Sequence, residues 1–334
     1  MKRHVRSNRS RRRRSPLKFL IFIFFCAVVV FAINGVYQNL TAENLQPAPS
    51  EVFSEIQVHA YSPAEAEEIL LPKINVQLHS TNALLMNLNT GEVLHDQNST
   101  TLMYPASLVK MMTAIVAIEN ISDLNEMVFL YGSIFQPIHS ANATTAGFLP
   151  DDSVRAIDLL FGLLLPSGAE CAVGLAIHTA GSENAFVAMM NEKAVELGMY
   201  DTVFTNTTGL HNGEQVSTVK DMAILLRFAL GNETFYRIIT SVRYSTAGTG
   251  LRPDGITFHS TLFSRISDSE LSNGRILGGR TGFTNQAGQN LASFAEVDGE
   301  IYILVTSGAQ TNGNHLTQAL HIEDAFTMFS KIQR

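Results

Sequence analysis

Two stretches with strand-like patterning, near opposite ends of the chain, constrain its fold more than any other feature. The first, ALLMNL-NTG-EVLHDQ, covers residues 83–97, and the second, LASFAEV-DG-EIYILVTSG, covers residues 291–308. The second has the period-two alternation of strands, and its Asp-Gly pair suits the type I′ turn of a tight hairpin. The first has two apolar runs around a loop that contains glycine. Both stretches are therefore predicted to be β-hairpins.

The chain between these hairpins is predicted to be mainly helical. From residue 122 to about residue 250, apolar residues recur with helical spacing, as in AIDLLFGLLL, CAVGLAIHTA, AFVAMMNEKAVELG and KDMAILLRFAL. The final stretch, HLTQALHIEDAFTMFSKI, is amphipathic and helical as well. We expect an α+β fold, in which an antiparallel sheet built from both chain ends packs against helices and a helical lobe is inserted between them.

The N-terminal part of the chain is predicted to be a membrane anchor. Residues 1–18 hold nine of the 23 Lys and Arg residues, and residues 19–36, FLIFIFFCAVVVFAINGV, carry no charge. This length is close to the roughly 20 residues that cross a bilayer as a helix. The basic residues before the apolar run favour a cytoplasmic N-terminus and an extracytoplasmic body. A cleavable signal peptide is the alternative, but no convincing small-x-small cleavage site follows the run.

The remaining composition narrows the class of protein. Residues 37–75 are rich in Gln, Ala, Glu, Pro and Ser and are interpreted as a linker, which leaves residues 76–334 as the folded domain. Beyond residue 18 the chain carries 14 basic and 30 acidic residues, a balance of −16, which argues against binding of nucleic acid. Cys26 and Cys171 cannot readily pair, and an exported protein without disulfides fits a bacterial cell surface.

Ser107 and Lys110 are the first candidates for chemistry. They lie three residues apart at the start of the segment SLVKMMTAIVAIEN, whose apolar positions nearly encircle the predicted helix. That spacing places both side chains on one helical face. Serine needs a neighbouring base to become a nucleophile, and a lysine in an apolar site loses its charge more easily. A solvated surface pair is the usual explanation of such a motif, but the buried character of this helix makes it less attractive here.

Two further motifs are weak when each is considered alone. Ser167 lies in the sequence PSGA between two apolar helical stretches, where a cap or a turn would be the ordinary role. Residues 278–284, GGRTGFT, form a glycine-flanked strand just before the C-terminal hairpin. The adjacent Arg280 and Thr281 could bind a carboxylate, although a polar strand edge would be the default interpretation.

In this order, the three motifs are typical of the β-lactamases and penicillin-binding proteins, whose pattern is Ser-x-x-Lys, Ser-x-Asn and Lys-Thr-Gly. The sequence resembles the low-molecular-mass D-alanyl-D-alanine carboxypeptidases of that superfamily over roughly residues 78–332. The resemblance rests on the segments LNTGEVL, PASLVKMMTAIVA, GLLLPSGAECAVGLA, FTNTTGLHNGEQVSTVKDMA and GGRTGFTNQAGQNLASFA.

The resemblance implies a mechanism for these residues. Ser107 would attack the carbonyl between two terminal D-alanines of a peptidoglycan stem peptide, with Lys110 as its base. Ser167 would relay a proton to the leaving amine. The substrate would bind along the segment Arg280, Thr281, Gly282 and Phe283. Arg280 and Thr281 would hold the terminal carboxylate. The backbone N–H groups of Ser107 and Phe283 would form the oxyanion hole. β-Lactams would inhibit by acylating Ser107, and neither a cofactor nor a metal ion is implied.

Two positions depart from the family pattern and keep other hypotheses open. Arg280 replaces the usual Lys, and Ala169 replaces the usual Asn, whose amide would bind the substrate backbone. Glu170 could supply some of the lost polarity. A catalytically weakened protein that binds penicillin or the cell wall is therefore the alternative function. A β-lactamase is a third hypothesis, but the sequence contains no deacylating Glu in a Glu-x-x-x-Asn setting.

Overall fold

A computed structural model describes residue 74 and residues 76–310 and 318–332. The predicted basic tail and membrane anchor, residues 1–18 and 19–36, lie outside this part of the chain, as does the predicted linker, residues 37–75, except for Ile74. No helix among the described residues is both long enough and apolar enough to cross a bilayer.

An antiparallel sheet of six strands joins the two ends of the folded domain. Its strands are β1 (Asn82–Asn87), β2 (Val93–Gln97), β7 (Glu270–Leu271), β8 (Gly274–Thr284), β9 (Gly288–Val297) and β10 (Glu300–Ala309). Their order across the sheet is β2-β1-β10-β9-β8-β7. Strand β1 pairs with β10, so Asn82 lies opposite Ser307 although the two are far apart in sequence. The predicted sheet from both chain ends is thus confirmed.

Both predicted hairpins are present, and the turn of the second one has the expected backbone. Asp298 and Gly299 connect β9 to β10 with φ values of 51° and 79°. A type I′ turn requires positive φ at both central residues, which is why Asp-Gly is favoured there.

Helices cover both faces of the sheet. Leu291 and Leu304 belong to one hydrophobic cluster with Phe329 of the C-terminal helix α8 (Leu320–Phe329). Phe294, on the opposite face of β9, contacts Tyr236 with ring centroids 5.9 Å apart. Because neither face meets solvent, β9 is buried along almost its whole length.

The helical lobe is built around helix α1, which follows a 3₁₀ turn at Ala106–Leu108. Every residue from Val109 to Ala117 in α1 is buried, which explains the apolar character on all sides. The helices of the lobe are α1 (Val109–Asn120), α2 (Phe135–Ser140), α3 (Ala156–Leu164), α4 (Ala169–Ala180), α5 (Glu183–Glu196), α6 (Val219–Leu230) and α7 (Glu233–Ile239). Helices α5, α6 and α7 are capped at their N-termini by Ser182, Thr218 and Asn232, whose side chains each accept a hydrogen bond from a backbone N–H.

The lobe also contains two small sheets that the helical pattern did not predict. Strand β3 (Met127–Phe129) pairs with β4 (Ser153–Arg155), and β5 (Arg243–Ser245) pairs with β6 (Thr257–His259). Strands of three residues are too short to display a recognisable period in the sequence.

Candidate active site

Ser107 and Lys110 lie together at the beginning of α1. Ser107 is in the 3₁₀ turn and remains partly exposed, whereas Lys110 is only 3% exposed. The Lys110 Nζ lies 3.3 Å from the Ser107 Oγ and also donates to the carbonyl oxygen of Thr208. The spacing of the motif therefore places an amine directly beside a hydroxyl group that can be reached from solvent.

Ser167 completes a group of three polar side chains. It lies in the turn between α3 and α4, and its Oγ is 3.2 Å from the Ser107 Oγ. Its φ of +79° falls in the left-handed region, which costs a residue other than glycine on the order of 1–3 kcal/mol. Hydrogen bonds on both following residues hold this backbone in place: Gly168 N donates to Gly162 O at 2.8 Å, and Ala169 N donates to Thr144 O at 2.9 Å.

Arg280 lies on β8, and its guanidinium links the two serine-bearing segments. The side chain is completely buried. Its Nε donates to the Ser107 carbonyl oxygen at 3.3 Å, one Nη donates to the Leu164 carbonyl oxygen at 2.7 Å, and the other donates to the Ser167 Oγ. The rigid fork of donors in a guanidinium suits three acceptors that lie in different directions.

Burial determines the charge state of these basic groups. Burial, with the positive charge of Arg280 as a second cause, lowers the pKa of the Lys110 amine well below its ordinary value, while Cys171 and Glu170 act in the opposite direction. Burial lowers the pKa of the Arg280 guanidinium to about 9, so it remains a cation at neutral pH. A lowered pKa favours the neutral amine of Lys110, and the neutral amine is the form that can take a proton from serine.

Strand β8 presents an open edge beside the serine. Its pairing with β7 involves only Arg275 and Gly274, and the remainder of β8 pairs with β9 alone among the described strands. A Cβ atom added at Gly282 would lie 3.2 Å from the Ser107 backbone nitrogen. The absence of a side chain at Gly282 therefore allows the strand to approach Ser107 closely.

The site also includes two contacts that could not be expected from the sequence. The Thr281 hydroxyl group donates to the Thr261 Oγ1 at 2.8 Å, and the Lys110 amine donates to the Thr208 carbonyl oxygen. Thr208 belongs to the segment FTNTTGLHNG, one of the stretches that carry the family resemblance. The resemblance could therefore have drawn attention to this segment, but not to one particular carbonyl group.

The position of Ala169 offers no polar group to a ligand, and the neighbouring Glu170 does not replace one. Glu170 is fully buried, and its Oε1 accepts hydrogen bonds from Ala146 N at 2.7 Å and Gly147 N at 2.9 Å. Burial raises the pKa of this carboxyl group. Glu170 thus holds the backbone of residues 146–147 and is not exposed to a ligand.

Cys171 does not add a second nucleophile to the site, and the described residues form no metal-binding cluster. Cys171 is completely buried, and burial raises the pKa of its thiol well above the ordinary value, as expected for a small buried hydrophobe. Within residues 76–310 and 318–332, no three His, Cys, Asp or Glu side chains lie close enough together to hold a metal ion.

The sequence matches a known family over most of the domain. The sequence model of the D-alanyl-D-alanine carboxypeptidase family matches residues 68–311. D-alanyl-D-alanine carboxypeptidase DacB2 of Mycobacterium tuberculosis is 31% identical over 239 residues, covering 68% of this chain and 76% of that protein. The corresponding DacF protein of Bacillus subtilis is 28% identical, covering 74% of this chain and 62% of its own length, so this chain spans less than two thirds of DacF.

Solved structures show the same fold. The D-alanyl-D-alanine carboxypeptidase structure from Mycobacterium tuberculosis is 26% identical and superimposes with a TM-score of 0.66, over 78% of this chain and 94% of that one. The Streptomyces K15 DD-transpeptidase superimposes with a TM-score of 0.68, over 77% of this chain and 98% of that one. At 24% identity, the second comparison is evidence for the fold alone.

Proposed function

Since the chain belongs to the D-alanyl-D-alanine carboxypeptidase family, we propose that it removes the terminal D-alanine from peptidoglycan stem peptides through an acyl-enzyme on Ser107. The observation that carries this proposal is the hydrogen-bonded set of Ser107, Lys110 and Ser167. This set combines a partly exposed hydroxyl group, a buried amine with a lowered pKa and a second hydroxyl group within 3.2 Å of the first.

Acylation begins with transfer of the Ser107 hydroxyl proton to the neutral Lys110 amine. The Ser107 oxygen forms an ester bond to the carbonyl carbon as the peptide C–N bond breaks. Ser167 passes its proton to the leaving nitrogen and receives the one that Lys110 took from Ser107, so the terminal D-alanine departs as an amine and Lys110 is neutral again. Water then hydrolyses the ester, which returns the Ser107 hydroxyl group and leaves a shortened stem peptide with a new carboxylate.

The negative charge that develops on the carbonyl oxygen needs hydrogen-bond donors. We assign this role to the backbone N–H groups of Ser107 and Phe283, and the close approach of Gly282 to the Ser107 nitrogen supports that assignment. The substrate backbone would lie along the open edge of β8, as an added strand does in other peptide-binding sheets.

The terminal carboxylate of the substrate is assigned to Thr281 and Arg280. The guanidinium of Arg280 donates hydrogen bonds to three protein acceptors, so this side chain would act on the carboxylate through its charge. Thr281 is only partly buried, and its hydroxyl group, which donates to Thr261 Oγ1 in the structure, would turn to donate to the substrate carboxylate instead.

The first experiment incubates the full-length protein, purified in detergent, with a stem pentapeptide that ends in D-Ala-D-Ala. Mass spectrometry follows the loss of one alanine, and Ser107→Ala is the control. We expect release by the wild type that disappears in the variant. Release that persists in Ser107→Ala would contradict the assigned nucleophile.

A parallel incubation with a fluorescent penicillin separates the second candidate function. Ala169 removes a polar contact to the substrate, and loss of such a contact typically costs on the order of 1 kcal/mol. Labelling of Ser107 without release of D-alanine would favour the catalytically weakened, penicillin-binding protein.

We further propose that residues 19–36 anchor the protein in the cytoplasmic membrane, with the catalytic domain outside the cytoplasm. The uncharged run of 18 residues behind a basic N-terminus supports this location. In cell fractionation, the full-length protein is expected in the membrane pellet, and protease added to spheroplasts should digest its domain. A domain that resists the protease until the membrane is lysed would contradict the proposed orientation.

A further inference from the structure

The loop of residues 205–210, with sequence TNTTGL, is attached to α1 through two successive carbonyl groups. The Thr207 carbonyl oxygen accepts a hydrogen bond from Thr113 Oγ1 at 2.8 Å, and the Thr208 carbonyl oxygen accepts one from the Lys110 amine. Lys110 and Thr113 are three residues apart and therefore lie on the same face of α1. All four residues are buried, so this attachment is shielded from water.

The side chain of Asn206 determines the conformation of this loop. Its Oδ1 accepts hydrogen bonds from Thr208 N at 3.1 Å, from Thr208 Oγ1 at 3.0 Å and from Gly209 N at 2.8 Å. Its Nδ2 donates to the Leu210 carbonyl oxygen at 3.0 Å. An Asn side chain that binds the backbone two and three residues ahead fixes a turn locally. The direction of the Thr208 carbonyl group therefore depends on Asn206.

Gln215 in turn fixes Asn206. The Gln215 Oε1 accepts hydrogen bonds from Thr205 N at 3.0 Å and from Asn206 N at 3.1 Å. Its Nε2 donates to the Leu210 carbonyl oxygen at 3.3 Å and to the Asn206 Oδ1 at 3.4 Å. Gln215 is 2% exposed and Asn206 is partly buried, and together the two amides form a hydrogen-bonded network that closes the loop at both ends.

We propose that Asn206 is a positioning residue for the catalytic base, because it aims the Thr208 carbonyl group at the Lys110 amine. This inference rests on the proposed function, in which Lys110 takes the proton of Ser107. A neutral amine has two N–H groups and one lone pair. Donation of one N–H to the Thr208 oxygen restricts rotation about the terminal C–N bond, so that the lone pair can face the Ser107 hydroxyl group.

The other groups that act electrostatically on Lys110 are independent of this loop. They are Arg280 on β8 and Glu170 and Cys171 on α4. Substitutions at Asn206 leave these three residues in place, so a change in the ionisation of Lys110 in an Asn206 variant would come from the loop. The roles of the loop and of the charged residues can therefore be separated by mutation.

The test compares Asn206→Ala and Asn206→Asp in the full-length protein. The second-order rate of acylation by a fluorescent penicillin is measured as a function of pH. In Asn206→Ala the maximal rate is expected to fall on the order of 10²-fold, the loss typical of a displacement of about 1 Å in a reacting group.

Asn206→Asp keeps an acceptor for the Thr208 and Gly209 groups and should recover most of that rate. Its negative charge should raise the pKa of Lys110, so the acidic limb moves to higher pH.

Asn232→Ala is the matched control, because it also removes a side-chain amide that caps a backbone N–H. Asn232 accepts from Phe235 N at 3.0 Å at the start of α7 and is no part of the site. We expect it to lower the Tm to a similar extent without changing the maximal acylation rate or its pH dependence. Equal losses of rate in Asn206→Ala and Asn232→Ala would overturn the proposal, as would failure of Asn206→Asp to recover the rate while it remains folded.

A second readout does not require activity. The chain has seven lysines, so [¹³Cε]lysine labelling gives few NMR signals, and Lys110→Met identifies the one from Lys110. The titration midpoint of Lys110 should change in Asn206→Ala and stay constant in Asn232→Ala. An unchanged midpoint and signal position in Asn206→Ala would contradict the inference. If the wild type neither releases D-alanine nor reacts with penicillin, the proposed function fails, whereas the NMR comparison still decides the role of Asn206.

Discussion

Arg280 shows how a single buried residue can adapt a site to a departure from its family pattern. The resemblance predicts a lysine at this position, and a lysine would present one compact ammonium group. The guanidinium instead donates to the carbonyl groups of Ser107 and Leu164 as well as to the Ser167 hydroxyl group. These two carbonyl acceptors satisfy donors that would otherwise be buried without partners, which would cost several kcal/mol for a charged group. The surrounding backbone therefore supplies the hydrogen-bond acceptors that an arginine needs at this position.

The charge of Arg280 should appear in the pH dependence of acylation. In the proposed mechanism Lys110 takes the Ser107 proton only when neutral, so the acylation rate should rise as the pH increases through its lowered pKa. Arg280→Gln removes a cation that lowers this pKa, so the pKa should rise and the acidic limb should shift to higher pH. The measurement is the rate of penicillin acylation from roughly pH 4 to roughly pH 10, a range that spans the ordinary pKa values of carboxyl groups and lysine.

Arg280→Lys is the matched variant for this experiment, because it keeps the positive charge but has fewer donors. Its acidic limb should remain close to that of the wild type, even if its maximal rate is lower. Equal shifts of the limb in both variants would show that hydrogen-bond geometry, and not charge, controls the ionisation of Lys110.

At the scale of elements, three backbone segments meet at Ser107 with almost no space between them. The start of α1 lies between strand β8 and the loop of residues 205–210. Glycine faces it from each side, because Gly282 approaches the Ser107 nitrogen and Gly209 approaches the carbonyl group of Ala106. The Ala106 backbone is itself in a positive-φ conformation at 49°. Such close packing over-determines the position of Ser107, as a strained active-site backbone requires.

Gly209→Ala tests this packing. The φ of Gly209 is +77°, and an added Cβ atom would overlap the carbonyl oxygen of Ala106. The positive φ and the forced displacement should together lower the free energy of unfolding by at least about 2 kcal/mol, and the rate of acylation should fall with it. Urea denaturation and penicillin labelling measure the two effects.

Gly213→Ala is the control, because it lies in the same region, has no positive φ and would place its Cβ atom in open space. It should change the free energy of unfolding by less than about 1 kcal/mol, in either direction. Comparable destabilisation in the two variants would mean that the contact between Gly209 and Ala106 is not tightly packed.

At the scale of the whole domain, the two ends of the described chain are joined side by side. Strand β1 pairs with β10, and helix α8 packs against the same sheet. The carboxylate of Asp324 on α8 accepts hydrogen bonds from the backbone nitrogens of His79 and Ser80, both at 2.8 Å. Asp324 is only 2% exposed, so it fastens the segment before β1 to the C-terminal helix in a buried position.

Asp324→Ala should therefore destabilise the domain by about 2–3 kcal/mol, because it removes two charge-assisted hydrogen bonds and leaves the buried Ser80 N–H group without an acceptor. The neighbouring residue Glu323 provides the control. Its ion pair with His79 spans 3.5 Å between side chains that are 51% and 60% exposed, so Glu323→Ala should cost less than about 1 kcal/mol. Thermal unfolding of both variants checks the difference, and similar Tm values would exclude a special role for Asp324.

Much of the fold could be inferred from short-range patterns. The Asp298-Gly299 turn, the alternating strand around it and the apolar helix after Ser107 each reflect preferences that act over a few residues. The two small sheets of the lobe escaped prediction because three-residue strands carry too little pattern. The candidate site residues were predicted from their order along the chain, and the structure brings Ser107, Lys110, Ser167 and Arg280 into one hydrogen-bonded group.

The sequence by itself thus determined the α+β class, the central helix and the identity of the three motifs, because local propensity and periodicity are written in neighbouring residues. Only the tertiary structure decided that Arg280 is completely buried, that Glu170 binds the backbone of residues 146–147 and that Lys110 donates to the Thr208 carbonyl group. Lys110 and Thr208 are 98 positions apart in the chain. Every residue carries a carbonyl group, so no sequence pattern can identify the one that will face a given amine. The packing of the loop against α1 makes that choice.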